Sequence, residues 1–277
     1  MKLKKNYYTA KVFVYILLFV LVVLVVYPMF WLILNSLKSN KELFTNSLKL
    51  PSKLLFSNYI KAWNMGISKY FFNSIFVAAC SITATVFIGA CCAYGLTKYE
   101  FKGKEIIFYL IIGGLLLSPQ VALISLYRIL QKLHIYNTYL AMILPYIAFK
   151  LPFAIFLMRA YFMSFSRDLE DAAYIDGCSS FGAFIKIVLP ISKPILASTA
   201  IMTSIFVWNE FLFALVFIED KKLMTLPIGL STFRDALSTD WTTMLAGIAI
   251  ASLPMFILYF AMQKHFVRGL SQGSVKG

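Results

Sequence analysis

Two charged side chains stand inside otherwise apolar stretches: Lys150, eleven residues beyond Tyr139, and Glu210 in the run Trp208-Asn209-Glu210-Phe211. A charge facing lipid at that depth costs about 2.5–3.5 kcal/mol, so both side chains should turn toward protein, water or an interface. Lys150 has two readings. It either contacts a passing solute, or its stretch is two shorter pieces bent at Pro145 and Pro152 that leave the amine near an interface. Glu210 with Asn209 reads as a helix-packing or gating network in preference to a proton relay, which would need a second acid in another span. Asn209, Glu210 and Lys150 together are the candidate intramembrane polar network. Other chemistry lacks its residues: His134 and His265 are isolated, and Cys80, Cys91, Cys92 and Cys178 have no zinc or iron–sulfur spacing. There is no Gly-x-x-x-x-Gly-Lys-Ser/Thr run to cradle phosphates and no acid–base pair, so a non-catalytic chain with no bound cofactor or metal is expected.

The elements that must hold these residues follow from composition. Of 277 residues, 60% are hydrophobic and 14% charged, well short of the roughly 25% charged residues of a soluble domain. An ordinary soluble enzyme, a disordered chain and a secreted disulfide scaffold are therefore excluded. Six mostly apolar stretches, 12–34, 71–96, 106–127, 139–158, 194–218 and 241–262, cover half of the chain. About 20 residues of helix cross the roughly 30 Å hydrocarbon layer, and only a helix satisfies its own backbone there. The runs do not alternate, which excludes a β-barrel. The expected fold is all-α: a polytopic membrane protein with a short N-terminus (1–11), one transmembrane domain (12–262) and a tail (263–277). Lys2, Lys4, Lys5 and Lys11 before the first stretch resemble a signal-peptide flank, but its 23 residues end in Tyr27, Trp31 and Asn35 with no small-residue cleavage site. It reads as a retained span. Pro28, Pro119, Pro145, Pro152 and Pro254 fall within the stretches, where kinks can be repaired locally or can shape a cavity.

Charge gives a weak orientation. The sequence carries 26 Lys plus Arg against 12 Asp plus Glu, a formal net charge of +14. Six spans put both termini on one side, which holds 14 of the basic residues, while the other side holds 11. Setting aside the long first loop, with Lys38, Lys41, Lys49, Lys53, Lys61 and Lys69, leaves 14 against 5 and favours cytoplasmic termini. The basic residues are dispersed along membrane edges beside lipid, not gathered into a nucleic-acid patch.

Between the fourth and fifth spans lies a 35-residue segment, 159–193. Acidic Glu170 and Asp171 suit the first turn of a short helix over about 168–175. Gly177 can end it in the left-handed region without a Cβ penalty. A second helix over about 179–188 would lead to Leu189-Pro190. Ala172, Ala173 and Gly177 offer a small-residue surface to a partner, Phe181, Phe184 and Ile187 could anchor the pair, and a partnerless amphipathic turn is the plainer alternative.

This segment resembles the signature loop of binding-protein-dependent ABC transporter permeases: Glu-Ala-Ala, three residues, Gly, nine residues, Ile, one residue, Leu-Pro. The matching positions are Asp171-Ala172-Ala173, Gly177, Ile187 and Leu189-Pro190, with Asp171 in place of the usual glutamate. The resemblance covers almost the whole chain and is closest to carbohydrate-type permeases of the maltose-transporter kind. It includes Ser36-Leu37-Lys38, Asn58-Tyr59, Asn73-Ser74, Ala93-Tyr94-Gly95, the Trp208–Phe211 run and the C-terminal Gly269–Gly277.

The resemblance implies a permease in a prokaryotic cell membrane, paired with a second, homologous permease and with two cytoplasmic ATPase subunits that use ATP and Mg. It also implies an extracellular solute-binding protein that delivers a sugar or oligosaccharide, with glycerol phosphate or another polyol as the alternative. Glu170, Asp171, Ala172, Ala173 and Gly177 are then the ATPase contacts, and Ile187, Leu189 and Pro190 fix the loop to the next span.

Overall fold

Apolar runs of membrane length fold as helices that pair their own backbone, and among the described residues every regular element is a helix. The computed structural model describes residues 2–165, 173–175, 177–233 and 240–274, with backbone alone at 2–10 and 262–274. The helices are α1 (Lys2–Ser36), α2 (Asn40–Thr45), α3 (Ser57–Ala62), α4 (Ser68–Lys98), α5 (Lys104–Gly113), α6 (Pro119–Lys132) and α7 (Leu140–Phe162). After these come α8 (Ser180–Ile191, with a π-helical middle), α9 (Lys193–Asn209), α10 (Leu212–Phe217), α11 (Leu226–Ser231) and α12 (Trp241–Ser274).

Four helical stretches are long and apolar enough to cross a membrane: Lys11–Ser36, Ser57–Lys98, Leu140–Phe162 and Trp241–Ala261. Two bent pairs meet the same requirement only jointly, which raises the number to as many as six if each pair is one span. The stretch 106–127 is therefore not one straight helix. Helix α5 tightens into a 3₁₀ turn at Gly114–Leu116, and α6 leaves at 101°. The cause is Pro119, which drives the preceding residue out of the α region; Ser118 has ψ 131°. The stretch 194–218 also divides, because α9 ends at Asn209 and Glu210 is extended with ψ 125°. By contrast α7 runs unbroken through Pro145 and Pro152. That continuity removes the two-piece arrangement and leaves Lys150 in mid-helix.

The chain divides into two compact units, Met1–Ser68 with Leu230–Ser252, and Lys69–Gly229 with Leu253–Gly277. In the first, the chain leaving α1 is folded back on itself by buried polar groups. The Asn58 amide donates to the carbonyls of Ser36 and Lys38, both at 2.8 Å. The Lys38 ammonium, fully buried, donates to the carbonyls of Asn46 and Ser47. Ser36 and Tyr59 share a 2.7 Å hydroxyl bond. Thus Ser36-Leu37-Lys38 and Asn58-Tyr59, 20 residues apart, form one joint. Asp240 caps α12 in the same unit: its carboxylate accepts from the Thr243 amide and hydroxyl, the Thr242 hydroxyl and the Asn40 amide.

In the second unit Asn73-Ser74 does the equivalent work. The Asn73 amide donates to the carbonyls of Lys222 and Met224, its oxygen accepts from the Tyr139 hydroxyl, and the Ser74 hydroxyl accepts the Leu226 amide. This seats α11 against α4 so closely that a Cβ on Gly229 would lie 2.2 Å from the Tyr70 ring.

Two outcomes follow. Gly229→Ala overpacks this contact and should cost about 1–3 kcal/mol, read as a lower thermal midpoint of the detergent-solubilised protein; an unchanged midpoint would contradict the packing. Burial raises the Asp240 carboxyl, but the bonds from Thr243, Asn40 and Thr242 outweigh it and hold it below its ordinary 3.8. Because the folded value is the lower one, the cap's contribution is complete above the unfolded value and is lost as pH falls through the folded one. The midpoint difference between wild type and Asp240→Asn should therefore shrink between pH 6 and pH 3. A pH-independent difference would show that the charge is immaterial.

Candidate functional site

The segment between α7 and α9 is built from a left-handed turn and an anchored helix. Glu170, Asp171 and Ala172, with most of the helix expected over 168–175, lie outside the described residues. Residues Ala173–Ile175 are helical. Gly177 follows with φ +78°, its amide donating to the Tyr174 carbonyl at 3.0 Å while the Cys178 amide reaches the Ala173 carbonyl at 2.9 Å. This bond pair is the Schellman ending of a helix. A Cβ on Gly177 would touch nothing within 4 Å, so glycine is required here by backbone angle and not by space.

Ser179 starts α8, its hydroxyl accepting the Gly182 amide at 3.1 Å. Phe184 and Val188, one helical turn apart, are buried in a cluster with Ala90, Ala93 and Tyr94 of α4, Met158 and Phe162 of α7 and Ile195 of α9. The rings of Phe184 and Tyr94 lie 4.8 Å apart. Of the expected anchors, Phe184 serves, Ile187 and Leu189 are half-buried, and Phe181 and Pro190 are exposed. Val188 takes Phe181's place, and the i,i+4 spacing from Phe184 was its signal. Ala173 is buried against its own chain at 3% exposure, so it supports the turn and is not a free docking face, whereas Ile175 is 86% exposed.

Ala93-Tyr94-Gly95 is where this segment meets α4. A cleft of about 190 Å³ is lined there by Cys91, Tyr94, Gly95 and Tyr99 from α4 and its C-terminal end, and by Ser180, Phe181 and Phe184 from α8. The Lys98 ammonium lies 5.3 Å from the Tyr174 ring centre. Nearby, the buried Arg159 at the end of α7 pairs with Glu105 in the first turn of α5 and stacks 3.9 Å over Phe108. Neither pair was visible from spacing.

The three intramembrane polar residues have separate partners. Glu210 accepts the Tyr146 hydroxyl at 2.8 Å and the Phe213 and Ala214 amides at 2.9 and 3.3 Å, which places its carboxylate at the start of α10. Asn209 donates to the Ile205 carbonyl of its own helix at 2.8 Å. The Lys150 amine lies 3.7 Å from the Phe206 ring centre. Lys150 and Glu210 are linked through Phe206, which packs edge-on to Tyr146 at 6.0 Å, and through the Tyr146 hydroxyl bond to Glu210; Tyr146 also stacks on Phe213 at 6.2 Å. Tyr146, 1% exposed, is the member that spacing did not reveal.

Comparison with known proteins places this architecture. The chain is 49% identical to the probable ABC transporter permease protein YurM of Bacillus subtilis (strain 168), over all of this chain and 92% of that protein. It is 36% identical, over 92% of each, to the arabinooligosaccharides transport system permease protein AraQ of the same strain. Its fold matches a chain in the crystal structure of a bacterial ABC transporter involved in the import of the acidic polysaccharide alginate. There the TM-score is 0.81 at 22% identity, over 91% of this chain and 94% of that one. Residues 7–272 match the family of binding-protein-dependent transport system inner membrane components, and the chain belongs to that family.

Proposed function

We propose that this chain is the permease subunit of an ATP-driven importer that passes a sugar or oligosaccharide across a prokaryotic cell membrane. An external binding protein delivers the solute. A homologous second permease completes the path, and two cytoplasmic ATPase subunits, using ATP and Mg, drive it; this chain is not itself an enzyme. Both termini face the cytoplasm in this reading, as the basic residues favour. The sugar class is supported by the arabinooligosaccharide permease among its relatives.

The observation that carries the coupling role is the anchoring of the described part of the segment between α7 and α9, residues 173–175 and 177–191. Force from an ATPase reaches the spans only through an element that does not flex. Here the Gly177 turn is closed by two backbone bonds, and α8 is sunk into a cluster shared by α4, α7 and α9. Glu170, Asp171, Ala172 and Gly177 provide the ATPase-facing part, Ala173 supports it from within, and Ile187, Leu189 and Pro190 continue it into α9.

Gly177→Val forces a β-branched residue into the left-handed region at about 1–2 kcal/mol. Uptake should fall while the protein inserts at normal abundance, and co-purification with the ATPase subunits should weaken. Unchanged uptake and ATPase stimulation in that variant would refute the coupling role.

A further inference from the structure

Lys150 has ten residues of α7 before it and twelve after, roughly 15 and 18 Å at about 1.5 Å per residue. Neither end of the helix is within reach of a four-carbon stem, so the amine cannot escape to an interface. It is half-buried, it lies against the Phe206 ring, and among the described residues no carboxylate is within ion-pair distance. Glu210, the other ionisable group in these apolar stretches, is not its counter-ion, because three donors already hold that carboxylate. A mid-membrane cation with no counter-ion among the described residues is matched by water or by an anion from outside. The amine lies over one face of half-buried Phe206, and exposed Asn209 follows one turn along α9. Cation, aromatic face and amide are the complement of a sugar ring that carries an acidic group.

We propose that Lys150 lines the translocation route and supplies the counter-charge for an anionic group on the solute, which makes the transported class a sugar derivative bearing a carboxylate or phosphate. This rests on the importer reading above. It is tested with the complete transporter, second permease, ATPase subunits and binding protein included, reconstituted in proteoliposomes. The probes are an oligogalacturonide, glycerol 3-phosphate and a neutral arabino-oligosaccharide, so that carboxylate, phosphate and uncharged solutes are separated.

Wild type should accumulate an anionic probe, Lys150→Gln should lower that uptake at least tenfold with subunit composition unchanged, and Lys150→Arg should restore most of it. Wild-type uptake of the neutral probe alone, or Lys150→Gln behaving as wild type, overturns the inference and leaves the importer intact. Loss of the second permease from the Lys150→Gln complex assigns the amine to a subunit contact and equally overturns it. A wild-type assembly that accumulates none of the three, with no stimulation of its ATPase, overturns the sugar-importer reading as well.

Discussion

Where a helix stops within hydrocarbon, the backbone groups it frees must find a partner inside the protein, because hydrocarbon offers none. At several helix ends the structure pairs such groups with a side chain or a turn, some distant in sequence and some local. Asn58 takes two carbonyls where α1 ends, Asn73 takes two in the segment before α11, and Glu210 takes two amides where α10 begins. Asp240 does so for α12 and the Gly177 turn for the segment before α8. Each is a joint as well as a cap, since the same residue fixes the direction in which the chain continues.

Charge is handled on the same terms. An amide joint is neutral and can be buried at little cost once its bonds are made. A carboxylate among apolar helices needs more, and Glu210 receives an aromatic hydroxyl in addition to two amides. Arg159 is matched by Glu105, and Lys38 is enclosed by backbone carbonyls. Lys150 differs from all of these in having a ring face as its recorded partner. Among the described residues, then, its amine is met by a ring and by no carboxylate.

Hydropathy made the membrane-length helices legible, since one apolar residue more or less does not change a window average. It could not locate the breaks for the same reason. Pro119, which drives Ser118 out of the α region, and the extended Glu210 act through a backbone angle at one position, and averaging over a span removes them. The two prolines of α7 show the reverse error, because a missing hydrogen bond can be tolerated where the flanking packing holds, as at buried Pro145. Spacing grouped Asn209, Glu210 and Lys150 by their polarity. The partners each residue has chosen depend on rotation about α7 and α9, which places Tyr146 and Phe206 between them. The glycine at 177 was legible because one angle suffices to require it, whereas the burial of Ala173 depends on packing that its spacing did not specify.

The joints also explain why the short motifs are scattered while the structure they make is not. Ser36-Leu37-Lys38 closes the end of α1, and the carbonyls of Ser36 and Lys38 also accept from the Asn58 amide, 22 and 20 residues on. Ala93-Tyr94-Gly95, near the C-terminal end of α4, sets one ring between small residues, and Phe184 of α8 packs against that ring. Through Phe184 and Val188, α8 shares one contact cluster with α4, α7 and α9. Because protein interiors transmit strain where packing is dense, displacement of α8 must move the helix ends around it, or the cluster must open and expose Phe184 and Val188. The burial of those two side chains favours the first.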